Sequence, residues 1–306
     1  MRRIAICAMV LALFAVACAS SSTASSPSGG STSPSPTTAA QCAQQNASKF
    51  TNSGQLTIGT DNPAYPPYFA GGETKAHSLW KFDDPYAGKG FEDAVAYQVA
   101  TRMGFSPSQV QWVVAPFNQT YKPGAKDYDF AIEQISYSAK RAAAADFSDS
   151  YYDEAEAVVA VKGTPITRAT SISELKPYKL AAPIGTTSYD VIQNIVGSTP
   201  AGYNTLNDSV QALNAGQVDG LVVDLPTALY IADPFIQEVK NSVVVGQFPV
   251  TGQPEHFGMT FTKGSPLVAC VNLALSEMKS DGTLGDITTT WLSKKTNVGK
   301  VPVFSS

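Results

Sequence analysis

DFAIEQISYSAKRAAAADFSDSYY, residues 129–152, is the stretch whose reading decides the fold. It opens on a short apolar run, Phe130 to Ile135, with the length of a buried strand. The run breaks into the hydroxyls of Ser136 and Ser138, and a lone Arg141 follows. Asp146-Phe147-Ser148-Asp149 and the pair Tyr151-Tyr152 close the stretch. A strand that delivers hydroxyls and one guanidinium into a loop predicts a carboxylate receptor. The planar fork of arginine matches two carboxylate oxygens, and neighbouring N–H and O–H groups share the charge. The alternative for Arg141 is a surface ion pair with Asp146.

Working outward, 306 residues with 43% apolar content suffice for one large domain or two ordinary lobes. The formal charge of −4 argues against nucleic acid or anionic lipid as the main partner. No interior stretch is apolar for long enough to span a bilayer. At the front, Met1-Arg2-Arg3 and the apolar run Ile4 to Ala17 read as a secretory signal, residues 1–17. Ala15-Val16-Ala17-Cys18 resembles a lipobox, with Ala15 where leucine is usual, and predicts lipidation at Cys18. Plain secretion is the alternative. Ala19 to Ala40 is almost wholly Ser, Thr, Pro, Gly and Ala without a charge, so residues 18–50 are expected to form a disordered tether. Fully extended, its about 22 residues reach roughly 70 Å. Two cysteines remain for the folded part. In an oxidising compartment Cys42 and Cys270 are expected to bond, the alternative being two buried thiols.

The stretch at 129–152 also resembles a segment of bacterial family 3 extracellular solute-binding proteins, the amino-acid-binding subunits of ABC importers. There a small-polar and apolar run leads to Thr or Ser, two residues, Arg, and a D-F-S-x-x-Y-Y tail. Other motifs follow in the same order. Thr60-Asp61 and the loop to Phe69 are similar to a T-D-x-x-Y-x-P-F loop, and Gly90-Phe91-Glu92 to a G-F-D/E step into a helix. Pro116-Phe117-Asn118 matches a loop with a ligand-stacking aromatic, and Gly185-Thr186-Thr187 a carboxylate-binding loop. Phe257 to Gly264 resembles the return strand. The likeness runs from Leu56 to Leu292.

The resemblance implies an α/β, two-lobed periplasmic-binding-protein-like (type II) fold, each lobe a mixed sheet flanked by helices. Lobe 1 is expected over 51–157, lobe 2 over 158–247, and lobe 1 again, with a loose tail, over 248–306. Glu156 to Lys162 and Val243 to Val245 are the expected crossing strands. It implies Arg141, Ser136 and Thr187 on a ligand carboxylate, Asp224 on its ammonium, and Tyr65 and Phe117 stacked on its stem. Glu133 and Gln134 depart from the family, which has Ser, Gly or Ala there, and so favour a ligand with a donor-rich side chain. Each residue keeps a plainer reading. Tyr65 and Tyr68 could pack their own loop, Glu133 could face solvent, Thr187 could belong to a simple helix cap, and Asp224 could cap the helix opened by Pro226.

The partners implied are a free amino acid and ABC permease membrane subunits, for a monomer lipid-anchored to the outer face of the cytoplasmic membrane. No cofactor, metal or nucleic acid is expected. His77 and His256 lie beside no serine or cysteine motif, and no metal-spaced cluster stands out, which argues against an enzyme. A lyase or dehydratase of the same fold, with Glu133 as acid or base, and a tethered ligand sensor are the competing readings. Residues 71–89 exceed the hairpin usual in the family and predict a lid or an elaborated hairpin.

Overall fold

The computed structural model describes residues 35–233, 236, 238–250, 255–293 and 301–306. The signal at 1–17 and Cys18 lie outside the described residues. Within the rest, two five-stranded sheets form two lobes, joined by a two-stranded ribbon.

In lobe 1 the strands are β1 (Leu56–Thr60), β2 (Val110–Val114), β3 (Phe130–Ala131) and β4 (Asp146–Phe147). A late strand, β12 (Thr260–Phe261), joins them in the order β2-β1-β3-β12-β4. β1 runs parallel to β2 and β3, whereas β12 is antiparallel to β3 and β4. The expected strand at 129–135 is therefore only two residues long. Gln134 ends the extended path with φ +46°, a left-handed backbone that favours glycine or asparagine. Glu92 holds that turn by accepting the Gln134 N–H at 2.7 Å.

Helices α2 (Phe91–Arg102) and α9 (Leu267–Ser280) pack with α1 (Ala39–Gln45) around the core of this lobe, and α10 (Thr283–Thr288) follows α9. The spacing of Val95, Val99 and Met103 gives α2 its buried face. Gly90 has φ +116°, and a Cβ there would lie 2.1 Å from the Tyr68 carbonyl oxygen, which explains the G-F-E step. The first amides of α2 close onto that carbonyl, Glu92 N–H at 3.1 Å and Asp93 N–H at 3.2 Å.

The tether is shorter than expected. Thr38 caps α1, Ala39 donates its N–H to Glu277 at 3.0 Å, and Cys42 is bonded to Cys270 of α9. Ala39, Cys42 and Ala43 are buried, so residues 39–45 belong to lobe 1 despite their tether-like composition. The segment at 71–89 is a stitched loop. Asp84 accepts from Thr74 and binds His77 at 2.7 Å, and Trp80 plugs into the core.

Lobe 2 holds β6 (Glu156–Val161), β7 (Leu180–Pro183), β8 (Ala201–Tyr203), β9 (Gly220–Asp224) and β10 (Ser242–Gln247), in the order β10-β6-β9-β7-β8. Helices α5 (Ile172–Leu175), α6 (Thr187–Val191), α7 (Leu206–Asn214) and α8 (Leu225–Ile231) complete it. Separate apolar clusters cover the two faces of the sheet. The near-continuous apolar runs of β6 and β9 follow from that double burial. The expected crossings at 156–162 and 243–245 thus lie inside this sheet, as β6 and β10. The crossing itself is the antiparallel ribbon of β5 (Tyr152–Glu154) and β11 (Glu255–Phe257).

The chain end also departs from expectation. Rather than hanging loose from lobe 1, Val301 and Phe304 are buried on lobe 2. Phe304 donates its N–H to the Gln247 carbonyl at 2.9 Å, Gln247 donates its own to the Pro302 carbonyl at 2.8 Å, and the Phe304 ring fills the space that a side chain at Gly246 would need.

Candidate functional site

Where the lobes face each other, several contacts among the described residues join them directly. Tyr68 of lobe 1 donates its hydroxyl to Asp224 of lobe 2 and also meets the Thr227 hydroxyl at 3.0 Å. Ser136 and Thr187 hold their hydroxyls 3.2 Å apart. Arg141 donates from Nη2 to the Gly185 carbonyl at 2.8 Å, and Tyr121 donates to the same carbonyl at 3.3 Å.

Arg141 is placed by local structure. Ser138 caps the one-turn helix α4 (Ala139–Ala142) by accepting the Arg141 N–H at 3.2 Å. The side chain folds back so that Nη1 donates to the Ser136 carbonyl at 2.7 Å. Two aromatic faces border the guanidinium, Tyr121 at 4.5 Å and Phe117 at 5.4 Å to the ring centroids. Phe117 opens α3 (Phe117–Thr120), and Tyr121 follows it. Asp146 pairs with Lys263 at 2.8 Å, so the surface ion pair considered for Arg141 does not form. Burial depresses the basicity of the guanidinium while Tyr121, Asp190 and Glu154 oppose that depression. Two of its five N–H donors are committed to carbonyls by these bonds. Gly185 has φ +86°, and a Cβ there would stand 3.0 Å from Asn118 Oδ1, so the loop needs glycine to bring its carbonyl to Arg141.

Asp224 sits at the carboxyl end of β9 and does what its plainer reading requires. It caps α8, accepting the Thr227 N–H and hydroxyl, each at 2.9 Å. The Tyr68 hydroxyl adds a donor from the other lobe. Burial pushes its carboxyl up, and the bonds from Tyr68 and Thr227 pull it back down. Thr187 stands one residue inside the cap of α6, which Thr186 supplies.

The expected site residues divide. Arg141, Ser136, Thr187, Asp224 and Phe117 fall along this boundary. Tyr65 is half-buried against Phe82, with ring centroids 5.1 Å apart, and its neighbour Tyr68 crosses to the second lobe instead. Gln134 is spent on Glu92, through both its N–H and its side-chain amide. Glu133 is 5% exposed, and neither carboxylate oxygen receives a hydrogen bond. Burial raises its pKa well above the usual carboxylate range, and the charges of Asp61 and Glu92 and a carboxyl–carboxyl bond to Asp61 add to the shift, so its polar neighbour is another acid.

Sequence reading missed an acidic wall around these groups. Glu92, fully buried at the start of α2, accepts from Tyr151 as well as Gln134, and burial pushes its pKa to about 7. Glu154 accepts the Ser136 hydroxyl at 2.6 Å, and Glu156 accepts Thr187 and Ser188, each at 2.8 Å. Burial raises both carboxyls. The charge of Glu156 raises Glu154 further, and the charge of Asp224, its partner across β6 and β9, raises Glu156 further. Hydrogen bonds run from Arg141 to Ser136 and branch there to Glu154 and, through Thr187, to Glu156, while Asp224, held by Tyr68, faces Glu156 across the strand pair as a like charge. Such a wall suits a ligand that brings positive charge.

The family model for bacterial extracellular solute-binding proteins, family 3, matches residues 56–294. The chain is 28% identical over 225 residues to the ABC transporter glutamine-binding protein GlnH of Bacillus subtilis (strain 168), covering 71% of this chain and 78% of that protein. It is 26% identical over 253 residues to the L-cystine-binding protein TcyJ of Escherichia coli (strain K12), covering 79% and 84%. Among solved structures, an ancestral arginine-binding protein bound to arginine superposes with TM-score 0.61 at 26% identity, covering 78% of this chain and 98% of that one.

Proposed function

Because the chain belongs to the bacterial extracellular solute-binding proteins of family 3, we propose that it captures an amino acid with a polar or basic side chain by closing its lobes upon it. It then hands that amino acid to an ABC permease. The single observation that carries the ligand class is Glu133. A carboxylate sealed from solvent with no donor on either oxygen costs free energy unless it stays protonated or meets a cation. A basic or amide side chain brings the missing donors. The ligand carboxylate takes the remaining N–H groups of Arg141, with the Ser136 and Thr187 hydroxyls beside them, and its ammonium goes to Asp224. Phe117, with Tyr121, supports the guanidinium from its apolar side. Tyr65 borders the entrance to the first-lobe half of the site. A zwitterion thereby spans both lobes, and hinge closure on the β5–β11 ribbon is the motion such a ligand stabilises.

The leader sequence extends the proposal. Cys18 carries the lipid, and the Ser/Thr/Pro segment up to Thr38 holds a monomeric domain off the outer face of the cytoplasmic membrane. A thermal-shift screen of the purified protein against the common amino acids tests the ligand class. The expected result is a rise in melting temperature with at least one basic or amide amino acid. A rise confined to acidic or aliphatic amino acids would remove Glu133 from the ligand's path.

A further inference from the structure

The ribbon that joins the lobes carries three glutamates that the amino-acid reading leaves unused. Glu154 ends β5 and Glu255 opens β11, and the two are direct cross-strand partners. Glu156 opens β6 two residues after Glu154, so strand alternation sends both side chains to one side. One carboxylate oxygen from each of Glu154, Glu156 and Glu255 lies within 4.8 Å of the others. The cluster is braced from outside. Ser136 donates to Glu154 at 2.6 Å, and Thr187 and Ser188 donate to Glu156 at 2.8 Å each.

Bracing leaves specific atoms unmet. Glu154 is 3% exposed, and its Oε2 receives no hydrogen bond. Oε2 of Glu255 is likewise sealed from water and receives none. The nearby cation Arg141 gives two N–H groups to backbone carbonyls instead, one on its own lobe and one on the other. Three carboxylates held together in this way, two of them with an unmet buried oxygen, form a preorganised cation receptor.

We propose that Glu154, Glu156 and Glu255 bind a divalent cation at the hinge, with calcium as the occupant. All donors are carboxylate and hydroxyl oxygens, with no thiolate or imidazole among them, which selects a hard cation. Calcium–oxygen distances of about 2.3–2.6 Å let two ligand atoms stand up to about 5 Å apart across one ion, whereas magnesium allows only about 4.2 Å. The oxygens of the cluster lie within 4.8 Å of one another, inside the span that calcium allows. Its place on the ribbon gives the ion a mechanical role. Glu154 is tied to Ser136 of lobe 1 and Glu156 to Thr187 of lobe 2, so an ion held between them steadies the crossing segments in the closed arrangement.

The test uses the purified protein, stripped with a chelator and free of amino acids. Terbium(III) is titrated as a luminescent calcium analogue and then displaced with calcium. The account expects saturable emission and displacement by calcium at about 10⁻⁴–10⁻³ M, the range of extracellular modules. Glu154→Gln and Glu255→Gln should each weaken terbium binding at least tenfold. Both substitutions remove like-charge repulsion, so each variant should melt in chelator no lower than the parent while losing the melting-temperature rise that calcium gives it. Absence of saturable emission, or equal affinity in parent and both variants, overturns the proposal. So does a protein indifferent to calcium whose response to a basic amino acid depends on Glu255, which would assign the acids to a ligand ammonium. Calcium binding without any amino-acid response would leave this site standing and remove the amino-acid reading.

Discussion

Asp224, half-buried at the boundary between the lobes, and Glu133, buried within lobe 1, are carboxylates with opposite surroundings. Three donors meet Asp224, one of them from the other lobe. No N–H or hydroxyl meets Glu133, whose neighbours are the acids Asp61, bonded to it carboxyl to carboxyl, and Glu92. One carboxylate is already a structural joint, capping α8 and latching Tyr68. The other holds an unspent capacity to accept. The same residue class therefore serves two purposes, and hydrogen-bond satisfaction tells them apart.

The contrast can be sharpened by substitution. Asp224→Ala removes a cap, a latch and the proposed ammonium acceptor together. Ligand affinity should fall by about 2–5 kcal/mol, or roughly 30- to several thousand-fold. The lost helix cap should cost about 1 kcal/mol of stability besides, read from urea unfolding. Near-normal affinity in a folded Asp224→Ala protein would break the comparison.

The pH dependence of stability comes next in size. Burial pushes the Glu92 carboxyl up to about 7 from an ordinary 4.5, and that of Asp93 up to about 9 from an ordinary 3.8. A carboxyl with a raised folded pKa keeps its proton in the folded state where the unfolded chain has lost it, so stability falls as pH rises through that interval. For Glu92 the shift corresponds to about 3 kcal/mol lost between the two values. Urea midpoints should therefore be higher at pH 5 than at pH 8. A midpoint that rises with pH would mean that the acidic wall meets cations in the free protein.

Glu133→Gln tests the unspent carboxylate itself. It should weaken a basic ligand by about 1.5–3 kcal/mol, the worth of a hydrogen bond to a charged group, while leaving a neutral ligand nearly unaffected. Calorimetric titration with one basic and one neutral amino acid separates these outcomes. Equal losses for both would place Glu133 outside the ligand's path. Tyr68→Phe is the smallest step. It removes one donor from Asp224 and keeps the ring, so stability should drop by about 1 kcal/mol.

What the sequence revealed followed the reach of its signals. The positions of Arg141 and Asp224 were legible because their anchors are local, Ser136 and Ser138 for the arginine and the apolar run of β9 for the aspartate. Phe117 was legible from a short loop motif. The choice between Tyr65 and Tyr68 was not, since both lie in one proline-rich loop and only the packing of α2 onto the Tyr68 carbonyl fixes its path. Glu92 resembled an ordinary acid in the first turn of a helix, and its burial depends on Gln134 and Tyr151, far along the chain. The triad of Glu154, Glu156 and Glu255 needs the pairing of β5 with β11, a register no local pattern encodes. The alternation Glu154-Ala155-Glu156 at the mouth of an apolar strand was a readable sign that two acids share a side. Composition alone misplaced both chain ends, because α1 is held by one disulfide and a few alanines, and the C-terminus by Val301 and Phe304.

The most direct measurement is calorimetric titration of whichever amino acid gives the largest thermal shift, on the parent protein, Arg141→Ala and Asp224→Ala. If one ligand is gripped at both ends by opposite lobes, each variant loses at least about 30-fold in affinity while remaining folded. Parent-like affinity in both variants would contradict that grip.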